Sequence, residues 1–300
     1  MKIGILSRGP HLYSTQSLRS AGISRGHHVR IIDHTRCDLS VYRGRSDVYY
    51  ENRSLSFLNA VVPRIGSSVT YVGAALIRQF ENMHITTATG SDALLESRDK
   101  FRSLQRLTQV GIPVPKTISV GDHPQLEKII RNLGGLPVVI KLLESTHGAG
   151  VILAESLHAA EATVETFQRI NERFVIQEYI SEAGGADIRA LVVAGQIVAT
   201  MKRQARAGEF RSNLHRGASA SVVQLTQREE KAVLKATRVM GLDVAGVDLL
   251  RSHRGPLIME VNASPGLEGI ETTTGVDVAG KIIQMVERKV EKRKSHRYKK

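Results

Sequence analysis

The chain is 300 residues long, 41% apolar and 24% charged, with 42 Lys or Arg against 29 Asp or Glu and a formal charge of +13. That composition is ordinary for a soluble globular protein, and the length suggests about two domains. A single cysteine, Cys37, excludes an internal disulfide framework and a multi-cysteine zinc site. No apolar run approaches the roughly 18 residues of a membrane span, and MKIGILSRG lacks the pattern of a signal peptide, so a reducing, cytoplasmic location is expected.

The first third reads as an α/β unit. KIGIL (2–6), HVRIID (28–33) and FLNAVVPRIG (57–66) are short apolar strands, and helices are expected over 14–25, capped by Ser14, and over 70–82. Such alternation predicts a parallel sheet. SDALLESRDKFRSLQRLTQV (91–110) predicts one helix with a stripe of Leu94, Leu95, Phe101, Leu104 and Leu107, stopped by Gly111 and Pro113. A domain boundary is placed just before it, near residue 90. A helix over 122–133 precedes a buried strand, LPVVIKLL (136–143). The loop STHGAGV leads to a strand VILA (151–154), a helix over 157–170 and a strand FVIQEYI (174–180). DIRALVVAGQIVATMKRQ (187–204) is a hairpin turning at Ala194-Gly195. A helix over 226–240, strands VAGVDLL (244–250) and PLIMEVN (256–262), and a helix over 276–290 complete the chain. The last thirteen residues hold eight Lys or Arg against one Glu and are expected to fray as a flexible basic tail. Such a tail can attract nucleic acid, although 4% aromatics and no Trp argue against a base-stacking platform.

Two glycine-rich stretches imitate nucleotide motifs. Gly275 to Lys281 nearly matches a P-loop, but Ile282 follows where a metal-binding hydroxyl is needed and no strand runs into it. Gly148-Ala149-Gly150 lies between two strands instead of before a helix.

Three groups of residues carry chemistry. Asp248, Glu260 and Asn262 lie in apolar strands, where an ionised carboxylate is expensive without a partner or cation. A turn centred near Arg254 sets Asp248 opposite Glu260, and Asn262, two residues on, shares the Glu260 face. Three oxygen side chains on one spot suit magnesium; the competing reading is a surface hairpin whose acids pair with Arg251 or Arg254. Lys141 sits in a buried strand and wants an anion such as a nucleotide phosphate, with the loop 145–150 offering backbone N–H groups. Arg203, Arg211, Ser212, Asn213, His215 and Arg216 form a third cluster suited to phosphate or carboxylate, or else a solvated face.

Taken in order, SRDKFRSLQRL, PVVIKLLESTHGAGV, FVIQEYI, DIRALVV, FRSNLHRG and the pair VAGVDLL and LIMEVNASPGLEG resemble the ATP-grasp superfamily over about residues 90–290. Within it the chain is most similar to the RimK family: SNLHRG and NASPGLEGIE look especially RimK-like, and KIGILSR and VVPRIG extend the likeness to nearly the whole chain. The resemblance implies an α/β fold, α+β in its C-terminal part. An N-terminal parallel α/β pre-ATP-grasp domain (1–90) would precede a two-subdomain ATP-grasp fold (91–290, divided near 175), followed by the tail (291–300).

It also implies roles. Lys100 and Lys141 would contact ATP phosphates, Glu178 and Tyr179 the adenine-binding strand, and Asp187 with Arg211, Ser212 and Asn213 the nucleotide. Asp248, Glu260 and Asn262 would bind Mg2+ or Mn2+, commonly two ions, and Arg203 would steady the transferred phosphoryl group, with Arg216 as a second catalytic candidate. The implied reaction joins L-glutamate to the C-terminus of the sixth small-subunit ribosomal protein through an acyl phosphate, in an enzyme expected to be a homo-oligomer, as family tetramers are. Ser145 and Ala218 stand where the family commonly has glycine. Two other readings remain open: a sister ligase acting on a small cofactor or carrier peptide, and a non-catalytic ribosome- or RNA-binding protein.

Overall fold

A computed structural model describes residues 1–121, 125–143 and 150–297, and of Arg216, His296 and Arg297 the backbone only. In chain order the first elements are β1 (Lys2–Leu6), α1 (Tyr13–Ser24), β2 (His28–Ile32), β3 (Cys37–Tyr42), β4 (Arg45–Tyr50), β5 (Arg53–Ser54), β6 (Ala60–Pro63), α2 (Thr70–Asn82) and β7 (Thr86–Thr87). Strands β2, β1, β6 and β7 form a parallel sheet in that order, as the alternation requires. The antiparallel meander β3–β4–β5 fills a stretch whose pattern gave no strand signal; β3 is exposed on nearly all its residues and so carries no apolar alternation. Ser14 does not cap α1. The cap position is Leu12, and the Ser14 hydroxyl instead accepts the Leu267 N–H at 2.9 Å.

The next group is α3 (Ser91–Arg98), α4 (Lys100–Gln109), β8 (Thr117–Ser119), α5 (Leu126–Leu133), β9 (Val138–Leu142), β10 (Val151–Ala154), α6 (Leu157–Arg169) and β11 (Phe174–Glu178). The single helix expected over 91–110 is two. Asp99 leaves the helical conformation and caps α4, its carboxylate accepting the Arg102 N–H at 3.0 Å, a local bond that competes with continuing the helix. Leu94, Leu104 and Leu107 are buried as expected, whereas Leu95 is exposed. Strands β10, β9, β11 and β8 make an antiparallel sheet whose core, with α5 and α6, draws only on residues between Ile118 and Ile176.

The last group is β12 (Ala186–Val193), β13 (Gln196–Gln204), β14 (Ser219–Val222), α7 (Gln227–Val239), β15 (Val244–Ser252), β16 (Gly255–Asn262), α8 (Glu268–Thr274) and α9 (Val278–Arg297). Five of these form an antiparallel sheet, β14-β13-β12-β15-β16. The predicted turn is present: Ala194 and Gly195 both have positive φ, 51° and 73°, as a two-residue hairpin loop requires. Ile188, Ala190, Val192, Val247 and Leu249 bury one face against a core with Val233 and Ala236 of α7 and Leu107 of α4. Leu191, Val193, Ala199, Met201 and Val244 bury the other against a core with Leu18 of α1, Ile270 of α8 and Ile282, Ile283 and Val286 of α9. Gly275 closes α8 and Asp277 caps the start of α9, accepting the Gly280 N–H at 2.7 Å, so the P-loop imitation is a helix junction. Helix α9 runs on through Arg297, past the expected end at 290, and residues 298–300 of the basic tail lie outside the described residues. Val290 is still buried, and a helix already nucleated and docked extends through Lys and Arg at little expense. Among the described residues no helix is long and apolar enough to cross a membrane.

Candidate active site

One end of a face of the five-stranded sheet is charged. Asp187 and Arg189 project to this face from β12, Arg203 from β13, Asp248 from β15, and Glu260 and Asn262 from β16. The register pairs Asp187 with Arg203, Arg189 with Asp248, Asp248 with Glu260, and Gly246 with Asn262. The Asp248–Glu260 pairing is the expected one, reached differently. The chain turns at His253-Arg254, which alone would set Asp248 against Met259; a bulge between Asp248 and Leu249 in the register restores Glu260 to the site. Gly246 has no side chain because Pro265 packs there: a Cβ would lie 2.7 Å from the Pro265 Cβ.

Four of these residues form a buried ion network. Arg189 grips Asp248 with both prongs, Nε to Oδ1 at 2.8 Å and Nη2 to Oδ2 at 2.6 Å. Arg203 grips Asp187 likewise, Nε to Oδ1 at 2.7 Å with Nη2 on Oδ2, and reaches Asp248 Oδ2 at 3.0 Å. Asp187, Arg203 and Asp248 are each at most 4% exposed. Burial alone would raise the Asp248 pKa, but Arg189 and Arg203 outweigh it and hold the carboxyl below its ordinary value. Burial likewise opposes the Arg203 charge, and Asp248 and Asp187 reverse that. Glu260 is different: half-buried, it has no hydrogen bond or ion pair among the described residues.

Cations come from the β10-β9-β11-β8 sheet and from α4. Lys141 Nζ donates to Gln177 Oε1 at 2.6 Å, and Lys100, the first residue of α4, donates to the Leu142 carbonyl at 2.9 Å. Burial pushes the Lys141 pKa down to about 8; Glu260 and Asp187 act against that and Lys100 adds to it. Lys100 is also lowered by burial, again with Glu260 opposing. Both ammonium groups are therefore within electrostatic reach of Glu260. Two lysines within reach of a carboxylate that shares its strand face with an amide oxygen suit a polyphosphate with a divalent cation.

A family model for the RimK pre-ATP-grasp domain matches residues 1–94, and one for the RimK-like ATP-grasp domain matches residues 97–286. The chain belongs to the RimK family. A probable alpha-L-glutamate ligase of Ectopseudomonas mendocina is 52% identical over 291 residues, 97% of each chain. Among solved structures, ATP-grasp ligase PsnB complexed with minimal precursor, Mg and ADP has a TM-score of 0.75 at 17% identity, covering 97% of this chain and 98% of its own. D-alanine–D-alanine ligase of Bacillus anthracis complexed with ATP has a TM-score of 0.71 at 18% identity, covering 99% of both chains. This RimK-family protein is an ATP-dependent ligase with an ATP-grasp fold.

The expected site residues of the RimK-family chain are unequally disposed. Asp187, Arg203, Asp248, Glu260 and Asn262 share one face of the five-stranded sheet, and Lys100 and Lys141 lie within electrostatic reach of Glu260. Glu178, at the end of β11, is half-buried and engaged, its Oε1 accepting from the Lys116 N–H and from Arg254 Nη2, both at 2.6 Å; Tyr179 follows it. Arg211 holds Glu209 through Nε and Nη2 and reaches the Val151 carbonyl at 3.4 Å, tying the β13–β14 connection to β10, with Ser212 and Asn213 next in that connection. The Arg216 side chain and the loop containing Ser145 lie outside the described residues. The acids do not pair with the hairpin arginines: Arg251 binds Glu229 and Arg254 binds Glu178. Arg189 and Gln177 were not singled out in the sequence. The signal for Arg189 was present, since Asp187-x-Arg189 alternates onto one face of a strand.

Proposed function

We propose that this ligase joins L-glutamate to a carboxylate of a protein acceptor, the C-terminus of the sixth small-subunit ribosomal protein. The observation that carries the reading is the pair Lys100 and Lys141 within electrostatic reach of a Glu260 that makes no hydrogen bond or ion pair among the described residues. Its supports are the glutamate-ligase names of relatives that match the whole chain.

Lys100 and Lys141 bind and orient the ATP phosphates, and Glu178 with Tyr179 marks the strand beside the adenine. Arg211, Ser212 and Asn213 close over the nucleotide. Arg203 holds Asp187 and Asp248 in place. Its Nη1 makes no hydrogen bond among the described residues, which leaves it for the transferred phosphoryl group, with Arg216 as its companion. The donor set fits a hard divalent cation. Glu260 is uncommitted, Asn262 offers an amide oxygen, and Asp248 Oδ1 accepts a single bond and keeps a lone pair. Bound there, Mg2+ or Mn2+ supplies charge compensation for the phosphates.

The acceptor carboxylate takes the γ-phosphoryl group of ATP, releasing ADP. The glutamate amine then bonds to the acyl carbon as the C–O bond to phosphate breaks. Positioning and electrostatics account for most of such a rate enhancement.

Mass spectrometry of the acceptor incubated with ATP, magnesium and glutamate tests the reading. Mass steps of one glutamate residue are expected, and Glu260→Ala abolishes them. Steps on glutamate alone would displace the ribosomal acceptor, and no ATP turnover with any acceptor would overturn the proposal.

A further inference from the structure

Near Glu260 lies a second cationic place, made by Arg64 and Arg98. Arg64 directly follows β6, at the carboxyl edge of the parallel sheet, where ligands of α/β sheets commonly bind. Arg98 is the last residue of α3, and Ser264 stands two residues after β16. Each arginine makes one hydrogen bond, and each goes to a neutral carbonyl: Arg64 Nη2 to Pro265 at 2.7 Å, Arg98 Nη2 to Ile65. Neither forms an ion pair among the described residues. Arg98 Nε and Ser264 Oγ are both buried with no hydrogen-bond partner. Burial lowers the Arg64 pKa to about 10, and the nearby Arg98 charge adds to this, with Glu271 opposing; burial lowers Arg98 too, with Glu260 opposing.

Two desolvated guanidinium groups that repel one another, countered by Glu271 and Glu260 only without direct contact, with an orphaned N–H and an orphaned hydroxyl nearby, favour a bound anion. The guanidinium fork matches a carboxylate, and a hydroxyl can complete its coordination. We propose that Arg64, Arg98 and Ser264 form the pocket that takes a carboxylate of the incoming L-glutamate. This assignment rests on the glutamate-ligase reading. It favours glutamate over the acceptor because the acceptor's carboxylate loses its charge on becoming an acyl group, whereas both carboxylates of glutamate remain anionic throughout.

Steady-state kinetics of Arg64→Gln, Arg98→Gln and Ser264→Ala test the pocket, with glutamate, acceptor and ATP varied in turn. Loss of one charge-assisted hydrogen bond predicts a rise of about 10- to 100-fold in the KM for glutamate in each arginine variant, a smaller rise in Ser264→Ala, and an unchanged KM for ATP. Arg64→Lys keeps the charge and recovers part of the loss. Should an arginine variant fold poorly, the thermal shift that glutamate gives the wild type, reduced in Ser264→Ala, decides the matter. Wild-type turnover with glutamate at an unaltered KM in all variants would overturn the pocket alone. A rise confined to the acceptor's KM, or to that of ATP, would overturn it as well. Wild-type protein inert to glutamate would instead overturn the function on which the pocket rests.

Discussion

Asp248 and Glu260 are cross-strand partners in the same site, yet they do different physical work. Asp248 neutralises two arginines inside the protein, so Asp248→Asn leaves Arg189 and Arg203 with one carboxylate between them. Breaking a buried ion network this way destabilises by about 3–5 kcal/mol, which a lowered denaturation midpoint would report. Glu260→Gln removes a carboxylate that makes no hydrogen bond or ion pair among the described residues. It should lower the midpoint less than Asp248→Asn does, since Glu260 offsets the buried Lys100, Lys141 and Arg98 only without direct contact, while turnover is lost. Lys141 makes a pH-dependent prediction. Its folded pKa of about 8 lies below that of a free lysine, so near pH 8 it is about half neutral. A phosphate beside it favours the charged form and raises the pKa, so ATP binding takes up about half a proton at pH 8 and weakens as pH rises from 7 to 9. Calorimetry in two buffers of different ionisation heat measures that uptake, and Lys141→Met should abolish it.

At the scale of elements, the β12–β13 hairpin and the β15–β16 hairpin set the site by different devices. In the first, Ala194 stands at a φ of 51° that alanine tolerates poorly and Gly195 at 73°. Ala194→Asn should therefore stabilise and Gly195→Ala destabilise, each by about 0.5–1 kcal/mol in urea melts. In the second, the hydrophobic pattern and the turn disagree by one residue, and a bulge absorbs the difference so that Glu260 faces the cleft. The strand pattern shows that acids lie in these strands. It does not show the bulge, because an extra residue within an apolar run leaves the run apolar. The split of the 91–110 helix was hidden for a similar reason: its apolar stripe continues across Asp99, and only the cap bond to the Arg102 N–H reveals the break.

Across the whole molecule, α9 joins the two ends of the chain. Ile282, Ile283 and Val286 pack with residues of the N-terminal sheet, Arg25 and His27 bind Glu287, and Lys289 binds Asp243 at 2.6 Å and the Thr87 carbonyl at 2.9 Å. Among the described side chains of the helix the last buried one is Val290. Removing residues 291–300 should therefore leave thermal stability nearly unchanged, whereas Ile283→Ala should lose about 2–5 kcal/mol through its cavity. A large loss on truncation would give the basic end a structural role.

The sequence by itself determined the local pieces: the strands and helices that carry an apolar period, the Ala194-Gly195 turn, and the oxygen and ammonium side chains set in apolar strands. Each of these is written in neighbouring residues, where periodicity and turn chemistry act. Only the tertiary structure decided which charges meet. That Arg189 and Arg203 neutralise Asp187 and Asp248, that Glu260 makes no hydrogen bond or ion pair among the described residues, and that Arg64 lies near Arg98 depends on sheet register and on packing between segments far apart in the chain. Charge pairing is a property of distance in space, and distance along the chain does not encode it.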